Sequence, residues 1–506
     1  MSTAATLSVM EKLLSLSAAP KGQAKGTIIG SNPQGQGVRF ALSVVALLVL
    51  SGCASVSLEQ QLARTNEEAT SFTGGKLALA RTDEERDSRR QAAVAILADT
   101  LGQAQAVHLA LVNSPALQTL LAQHWAESAS AAQSARIANP IFSFERMRIG
   151  DELEIGRLLS FGLLDVLSLP YRKGIAERRI EQTQLHLTGE VVDQVTQVRQ
   201  AWVRAVAAAQ SLSYAKQVYA SAQAGAELAR RMEVVGNFNK LSRARQQVFY
   251  ADAATQLAAA QHENTARREE LTRLLGLDDA QAQALKLPER LPALPKEPLQ
   301  PDAVSQQAQS TRLDVRLARS GLEASAKSQG LELVNSLTDI ELGIKRDTVF
   351  DNHEGTRTTG KGYEISLRLP IFDTGSLRRD AMNARTLAAV NQLEATLRAA
   401  GSNLRESYSA YRTAYDISRH HRDEVLPLRK LIAEENQLRY NAMLIGVFEL
   451  LADSREQVGS VMAAISAEQQ FWLADAALQA SLIGKPTAAE ISGAGSAQAG
   501  GGEQGH

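Results

Sequence analysis

The chain has 506 residues, of which 44% are hydrophobic, 5% aromatic and 22% charged, and its formal net charge at pH 7 is −1. So few aromatic residues, in an alanine-rich sequence, suit long and closely packed helices better than several bulky cores. The balanced charge argues against a nucleic-acid-binding protein, and the single cysteine excludes an internal disulfide framework.

A short apolar run lies just before that cysteine. Residues 40–50 are apolar or small, and the quartet Leu-Ser-Gly-Cys ends at Cys53. A run this short cannot span a bilayer, which needs about 20 apolar residues, so it predicts a signal peptide. The quartet resembles the bacterial lipoprotein signal, which implies that residues 1–52 are removed and that Cys53 is diacylated. The alternative is an ordinary signal peptide with an incidental cysteine.

The segment 53–98 is predicted to be a lipid-anchored strap leading to the folded body. A helical pattern begins at Thr82, and Pro115 predicts a break because proline inside a helix loses a hydrogen bond and clashes with the preceding turn. A further helix is predicted over 116–136, with a counterpart in the second half over about 312–334.

Strand-like residues follow each of these helices. Residues 141–149 and 153–161 flank a turn signal, Gly150-Asp151. In the second half the hairpin is predicted over about 337–371, with 347–362 as a polar loop. The strands are long enough to cross a membrane as part of a barrel. Apolar and polar residues alternate most clearly around Tyr363, Ile365, Leu367 and Leu369.

Four strands cannot close a membrane barrel, and open sheet edges are not tolerated in lipid because their backbone groups find no water. If these hairpins enter a membrane, several chains must therefore share one barrel, and three chains would supply twelve strands. The alternative is two surface hairpins on a helical body.

The longest predicted element is a helix over 171–235, which contains no proline. At about 1.5 Å per residue it would be roughly 95 Å long, more than a globular core can hold. Apolar residues recur along it at alternating steps of four and three, as in a helix with one packed seam. These residues are Val191, Val195, Val198, Trp202, Ala205, Ala209 and Leu212.

The same element occurs twice. Gly236 and Phe238 match Gly446 and Phe448 in step with further leucine, arginine and glutamine matches, and each glycine is predicted to reverse the chain between two helices. The second long helix has a similar seam at Leu397, Gly401, Leu404, Tyr408, Tyr411 and Tyr415, and Pro427 predicts a kink in it.

These matches divide the chain into two repeats, 99–286 and 302–485. They are joined by an extended linker, 287–301, which carries a proline at about every third or fourth position. The glycine- and alanine-rich segment 486–506 is predicted to be a disordered tail.

The order of these features resembles the TolC-type outer-membrane channels of bacterial tripartite efflux and type I secretion. The resemblance rests on Asn139-Pro140 before the hairpin, on Leu-Xaa-Leu-Pro before each long helix, and on the glycine turn with its returning helix. The stretch 438–453 is similar to the lipoprotein branch that serves resistance-nodulation-division pumps. The resemblance implies a trimer with a twelve-strand outer-membrane barrel and a twelve-helix periplasmic tube.

The family also implies partners and site residues. An adaptor and an inner-membrane pump would engage the turns at Gly236, Phe238, Gly446 and Phe448, although these residues can also be purely structural. Asp453 corresponds to the acidic ring that the family often places at its closed end. The alternative is an exposed aspartate on a helix surface.

The predicted function is a passive conduit that exports drugs, organic compounds or metal ions. The alternative is a periplasmic coiled-coil scaffold lipoprotein without a pore. No enzyme motif is present, and no cofactor or metal is expected. His420 and His421 are adjacent, so on a helix they point about 100° apart and cannot easily share one ion.

Overall fold

The computed structural model describes residues 58–301, 312–337, 339–351, 353–369, 371–372 and 374–486. Cys53, the predicted signal region and nearly all of the predicted tail lie outside these ranges. The lipid attachment, the signal and the tail therefore remain predictions.

Four helices precede the first strands: α1 (Leu58–Thr73), α2 (Asp83–Leu97), α3 (Gln103–Asn113) and α4 (Pro115–Ser134). The segment predicted as a strap thus contains two helices. Thr82 caps α2 through a capping box with Glu85, and Pro115 occupies the first turn of α4, where no backbone N–H is needed.

The chain then forms one antiparallel sheet of four strands in the order β1 (Ile141–Ile149), β2 (Glu152–Gly162), β3 (Asp339–Asp351) and β4 (Thr356–Arg368). The predicted polar loop at 347–362 is wrong, because β3 and β4 extend through most of it. Its threonines are β-branched and suit strands, and Thr348 pairs with Thr359 across the two strands.

After the short helix α5 (Leu163–Leu167) comes α6 (Leu169–Val234), a helix of 66 residues, and the return helix α7 (Lys240–Leu275). A six-residue helix, α8 (Asp279–Ala284), leads into the linker.

The second half repeats the plan with α9 (Leu313–Leu337), β3, β4, α10 (Ser376–His420), α11 (Leu426–Asn441) and the return helix α12 (Val447–Ile483). Between α10 and α11, residues His421–Val425 form a π-helical turn just before Pro427. A π-helical turn thus lies where Pro427 predicts a kink, since proline lacks the N–H that would bond to the carbonyl four residues earlier.

The first predicted seam forms part of the main core. Val191, Val198 and Trp202 are buried, and the Trp202 indole N–H donates to the carbonyl of Leu101 at 2.8 Å. The second seam is covered only in part. Tyr411 and Tyr415 are buried, whereas the seam residues nearer the start of α10 remain open in the single chain.

The proline-rich linker crosses the second repeat. The Tyr415 hydroxyl donates to the carbonyl of Pro295 at 3.1 Å, the Tyr408 hydroxyl donates to that of Leu299 at 3.1 Å, and the Trp472 indole donates to that of Pro292 at 3.0 Å. Aromatic residues of α10 and α12 thus satisfy carbonyls that an extended segment leaves free.

Across the described ranges, no helix combines the length and the apolar character that a membrane crossing requires.

Candidate functional site

The first helical turn reverses the chain between α6 and α7. Gly236 adopts a left-handed conformation (φ +82°), and its N–H donates to the carbonyl of Glu233 at 2.9 Å. The Asn239 side chain then caps α7 by accepting from the N–H of Ser242 at 2.8 Å. Glycine suits this position because a positive φ costs it little.

The second turn uses a different residue for the same purpose. Met443 is left-handed (φ +59°), and its N–H donates to the carbonyl of Tyr440 at 2.9 Å. Gly446 has φ −81° and directly precedes α12. Gly446 thus lies in the turn between α11 and α12, as predicted, but the left-handed conformation that Gly236 has in the first turn is taken here by Met443, three residues earlier.

Apolar side chains project from both turns. Val235 is 69% exposed, Met443 91% and Leu444 74%. We call this surface the turn patch, and its members are Val234, Val235, Leu241, Met443 and Leu444. Exposed apolar side chains at both turns suit a contact with another molecule, and the sequence matches did not single them out.

The four residues predicted at the turns differ in their surroundings. Gly236 and Gly446 are exposed and have open space around them, and Phe238 is partly buried. The side chain of Phe448 lies outside the described part of the structure. The backbone geometry thus locates the turns without assigning a partner to them.

The two return helices meet close to the turns. The Arg455 guanidinium lies 4.5 Å from the centroid of the Phe249 ring and donates to the carbonyl of Arg245 at 3.3 Å. Asp453 lies two residues before Arg455 and is partly exposed, and it forms no ion pair with any described residue. Its predicted role in a gate remains a prediction.

The strand register divides the sheet into two unlike faces. Ile344 lies between Leu159 on β2 and Tyr363 on β4, so alternate residues of all four strands share one face. We call it the apolar face, and it carries Phe142, Phe144, Leu159, Phe161, Ile340, Leu342, Ile344, Tyr363, Ile365 and Leu367.

The charged residues of the opposite face are mainly acidic. We call this face the acidic face, and it carries Glu145, Glu152, Glu154, Glu341, Asp347, Asp351 and Glu364, together with Lys345 and Arg368. A sheet with one apolar and one charged face suits a boundary between lipid and water.

The apolar face is open to solvent in the single chain. Tyr363 is 83% exposed and Phe142 is 64% exposed. In the described part of the chain, β1 and β4 each pair along one side only. Both edges therefore have backbone groups open to pairing with another chain, and the apolar face is open to contact with another chain or with lipid.

Asp475 and His421 are among the titratable groups of the helical body with shifted pKa values. Burial raises the pKa of Asp475 to about 6, and the opposing pull of Arg199 does not offset it. Burial and the neighbouring His420 lower the pKa of His421.

The histidine pair has no surroundings that suit a metal ion. The rings of His420 and His421 have centroids 6.5 Å apart, and His420 pairs with Glu424 at 3.3 Å. Among the residues that the structure describes, no group of three or more histidine, cysteine or acidic side chains could hold a metal ion.

The fold is similar to that of several solved bacterial membrane proteins. A membrane protein from Pseudomonas aeruginosa has a TM-score of 0.62 and 20% identity, covering 75% of this chain and 93% of that one. The CmeC outer membrane channel of Campylobacter jejuni has a TM-score of 0.62 and 14% identity, covering 81% and 89%. The outer membrane protein VceC of Vibrio cholerae has a TM-score of 0.61 and 14% identity, covering 78% and 96%.

A scan against models of protein families and a search of curated proteins gave no match. The structural similarity confirms the predicted fold: duplicated long-helix hairpins with four strands per chain, as in TolC-type outer-membrane channels.

Proposed function

We propose that this chain, which has the fold of outer-membrane efflux channels, is one protomer of a trimeric export channel in the bacterial outer membrane. The observation that carries the proposal is the four-strand sheet with its exposed apolar face, its acidic opposite face and its two unpaired edges. Three copies would pair β1 of one chain with β4 of the next and close a twelve-strand barrel. The apolar face would then meet lipid and the acidic face would line water.

The helical body would continue the barrel as a periplasmic tube. With α6, α7, α10–α11 and α12 from each chain, three copies would supply twelve helices. The open part of the second seam on α10 would face a neighbouring protomer, which explains why one chain leaves it uncovered. The channel does no chemistry, and its substrate is selected elsewhere.

Partners would engage the far end of the tube. The turn patch at Val235, Met443 and Leu444 is an exposed apolar surface, which supports contact with a periplasmic adaptor and, through it, an inner-membrane pump. Movement of packed helices at this end would open the channel. Asp453, three copies of which would lie near this end, would form an acidic ring that favours cations.

Attachment to the membrane through a diacylated Cys53 is part of the proposal and rests on the Leu-Ser-Gly-Cys sequence alone. The competing function is a periplasmic scaffold lipoprotein without a pore. The exposed apolar face disfavours it, because a scaffold in water would leave Phe142 and Tyr363 solvated without a partner.

The native mass of the protein extracted from outer membranes in detergent tests the proposal, together with its conductance in planar bilayers. A trimer that conducts ions supports it. A soluble monomer would overturn it, because four strands cannot close a barrel alone. The mass of the N-terminal peptide tests the lipid at Cys53 independently of the channel.

A further inference from the structure

We propose that the outer half of the apolar face binds phosphate groups of the outer-leaflet lipid through a row of cations. The inference rests on the proposed function, since it needs the sheet in an outer membrane. The observations are the register of the four strands and the distribution of charge between their faces.

Register places three cations side by side. Arg157 on β2 lies directly opposite Arg346 on β3, and Arg346 lies directly opposite Lys361 on β4. All three share the apolar face, as do Arg146 and Arg148 on β1. No acidic residue of the four strands lies on this face, because the carboxylates have the opposite parity.

Such a row is unfavourable without an anion. Like charges directly opposite each other on neighbouring strands destabilise a sheet. Among the described residues, Arg157, Arg346 and Lys361 form no ion pair, and the carboxylates nearest in sequence, such as Asp347, point to the other face. An anionic partner from outside the chain would remove this repulsion.

The position of the row selects a lipid as that partner. The strands join the helical body near Ile141 and Arg368, and they turn at Gly150 and between Asp351 and Thr356. On this face the row lies farther from the helical body than Leu159, Ile344 and Tyr363, and Leu153, Ile155 and Phe350 lie between the row and the turns. With the helical body in the periplasm, the side away from the helices faces the outer leaflet.

Long basic side chains at this level can extend their charged ends to the headgroups while their methylene stems stay in the apolar layer. Arginine binds phosphate oxygens with paired, charge-assisted hydrogen bonds, and lysine adds a point charge. Several cations in one row match a headgroup that carries more than one phosphate better than a zwitterionic headgroup. The lipid class that fits is a phosphorylated glycolipid.

Paired variants on the same two strands test the inference. R346Q/K361Q removes one arginine and one lysine from the apolar face, and R368Q/K345Q removes one of each from the acidic face. The full-length protein in detergent would be titrated with lipid A, with dephosphorylated lipid A and with phosphatidylcholine, and bound lipid would be counted by native mass spectrometry.

We expect R346Q/K361Q to bind lipid A at least about tenfold more weakly than the wild type, because charge-assisted hydrogen bonds are lost. R368Q/K345Q should keep the wild-type affinity, and high salt or loss of the lipid phosphates should weaken wild-type binding. Equal affinity of the two variants for lipid A would overturn the inference. If both also conduct ions as trimers, the channel function stands without it, whereas a wild type that neither trimerises nor conducts would overturn both.

Discussion

Gly276 lies so close to Pro115 that a Cβ on Gly276 would be 2.3 Å from the Cδ of Pro115. Gly276 ends the return helix α7 in a left-handed conformation (φ +66°), and Pro115 begins α4. The second repeat has the same arrangement, since a Cβ on Gly484 (φ +95°) would be 2.8 Å from the backbone nitrogen of Leu313 at the start of α9. Each return helix thus ends against the first residue of a helix in its own repeat.

Gly276→Ala should lower the free energy of unfolding by about 2–4 kcal/mol, because a left-handed alanine costs about 1–2 kcal/mol and the overlap with Pro115 adds to it. The measurement is thermal or denaturant unfolding in detergent. Gly459→Ala is the control: Gly459 lies within α12 with open space around it, so alanine there should stabilise by about 0.5–1 kcal/mol. Equal effects of the two changes would contradict the packing argument.

Met443→Gly should distinguish the effect of Met443 on folding stability from its effect on the proposed partner contact at the second turn. Glycine removes the energetic cost of a left-handed methionine, so the free energy of unfolding should rise by about 1–2 kcal/mol. The exposed side chain is lost at the same time, so export with the pump should fall. Met443→Ala should lose export without that gain in stability. Normal export by both variants, measured as drug resistance of cells, would remove Met443 from the partner contact.

Ile365→Arg should prevent assembly of the trimer in membranes, because a charge on the lipid face of a barrel costs about 2–4 kcal/mol near the bilayer midplane and three copies would carry it. Ser366→Arg, one residue along β4 and on the acidic face, should assemble normally. The amount of trimer in isolated outer membranes is the measurement. A scaffold without a pore would tolerate both changes.

The proposed channel should select cations, because most charged side chains of the acidic face are carboxylates. In planar bilayers with a salt gradient, Glu145→Gln combined with Glu154→Gln should move the reversal potential towards zero. Arg148→Gln, which changes a charge on the apolar face, should leave the potential unchanged. A shift of equal size in both variants would contradict the assignment of the acidic face to the water-filled interior of the barrel.

The raised pKa of Asp475 predicts a pH dependence of stability. Its pKa of about 6 exceeds the ordinary value of 3.8, so the folded protein binds more protons than the unfolded chain between these values. The contribution of Asp475 is therefore most favourable below about pH 4, and stability falls as pH rises through about 6.

Arg199 is the charged group that faces Asp475. Its guanidinium lies 4.3 Å from the centroid of the Phe72 ring, and it donates to the carbonyl of Phe72 at 2.5 Å, so it stays in place when Asp475 becomes neutral. Asp475→Asn should unfold at a higher temperature than the wild type at pH 8, with no gain at pH 4. A gain of the same size at both values would contradict the pKa argument.

The sequence by itself determined where the long helices and most strand residues lie. These signals are local. Val191, Val198 and Trp202 recur at helical spacing, Pro115 begins a helix where no backbone N–H is needed, and Pro427 follows a π-helical turn. The predicted loop at 347–362 is wrong because its polar threonines suit strands. The sequence located the turn at Gly446 but missed that Met443 takes the left-handed conformation, because matching residues do not fix backbone angles.

Only the tertiary structure decided which distant residues meet. The row of Arg157, Arg346 and Lys361 depends on the register between β2 and β3, which are separated along the chain by the whole first helical hairpin and the linker. A shift of one residue between β2 and β3 would place Arg346 and Lys361 on the face opposite to Arg157, and no local sequence pattern determines that register. The close approach of Gly276 to Pro115 also depends on how the helices pack. The sequence predicts that Gly276 ends a helix and that Pro115 begins one, but not that these two helix ends are in contact.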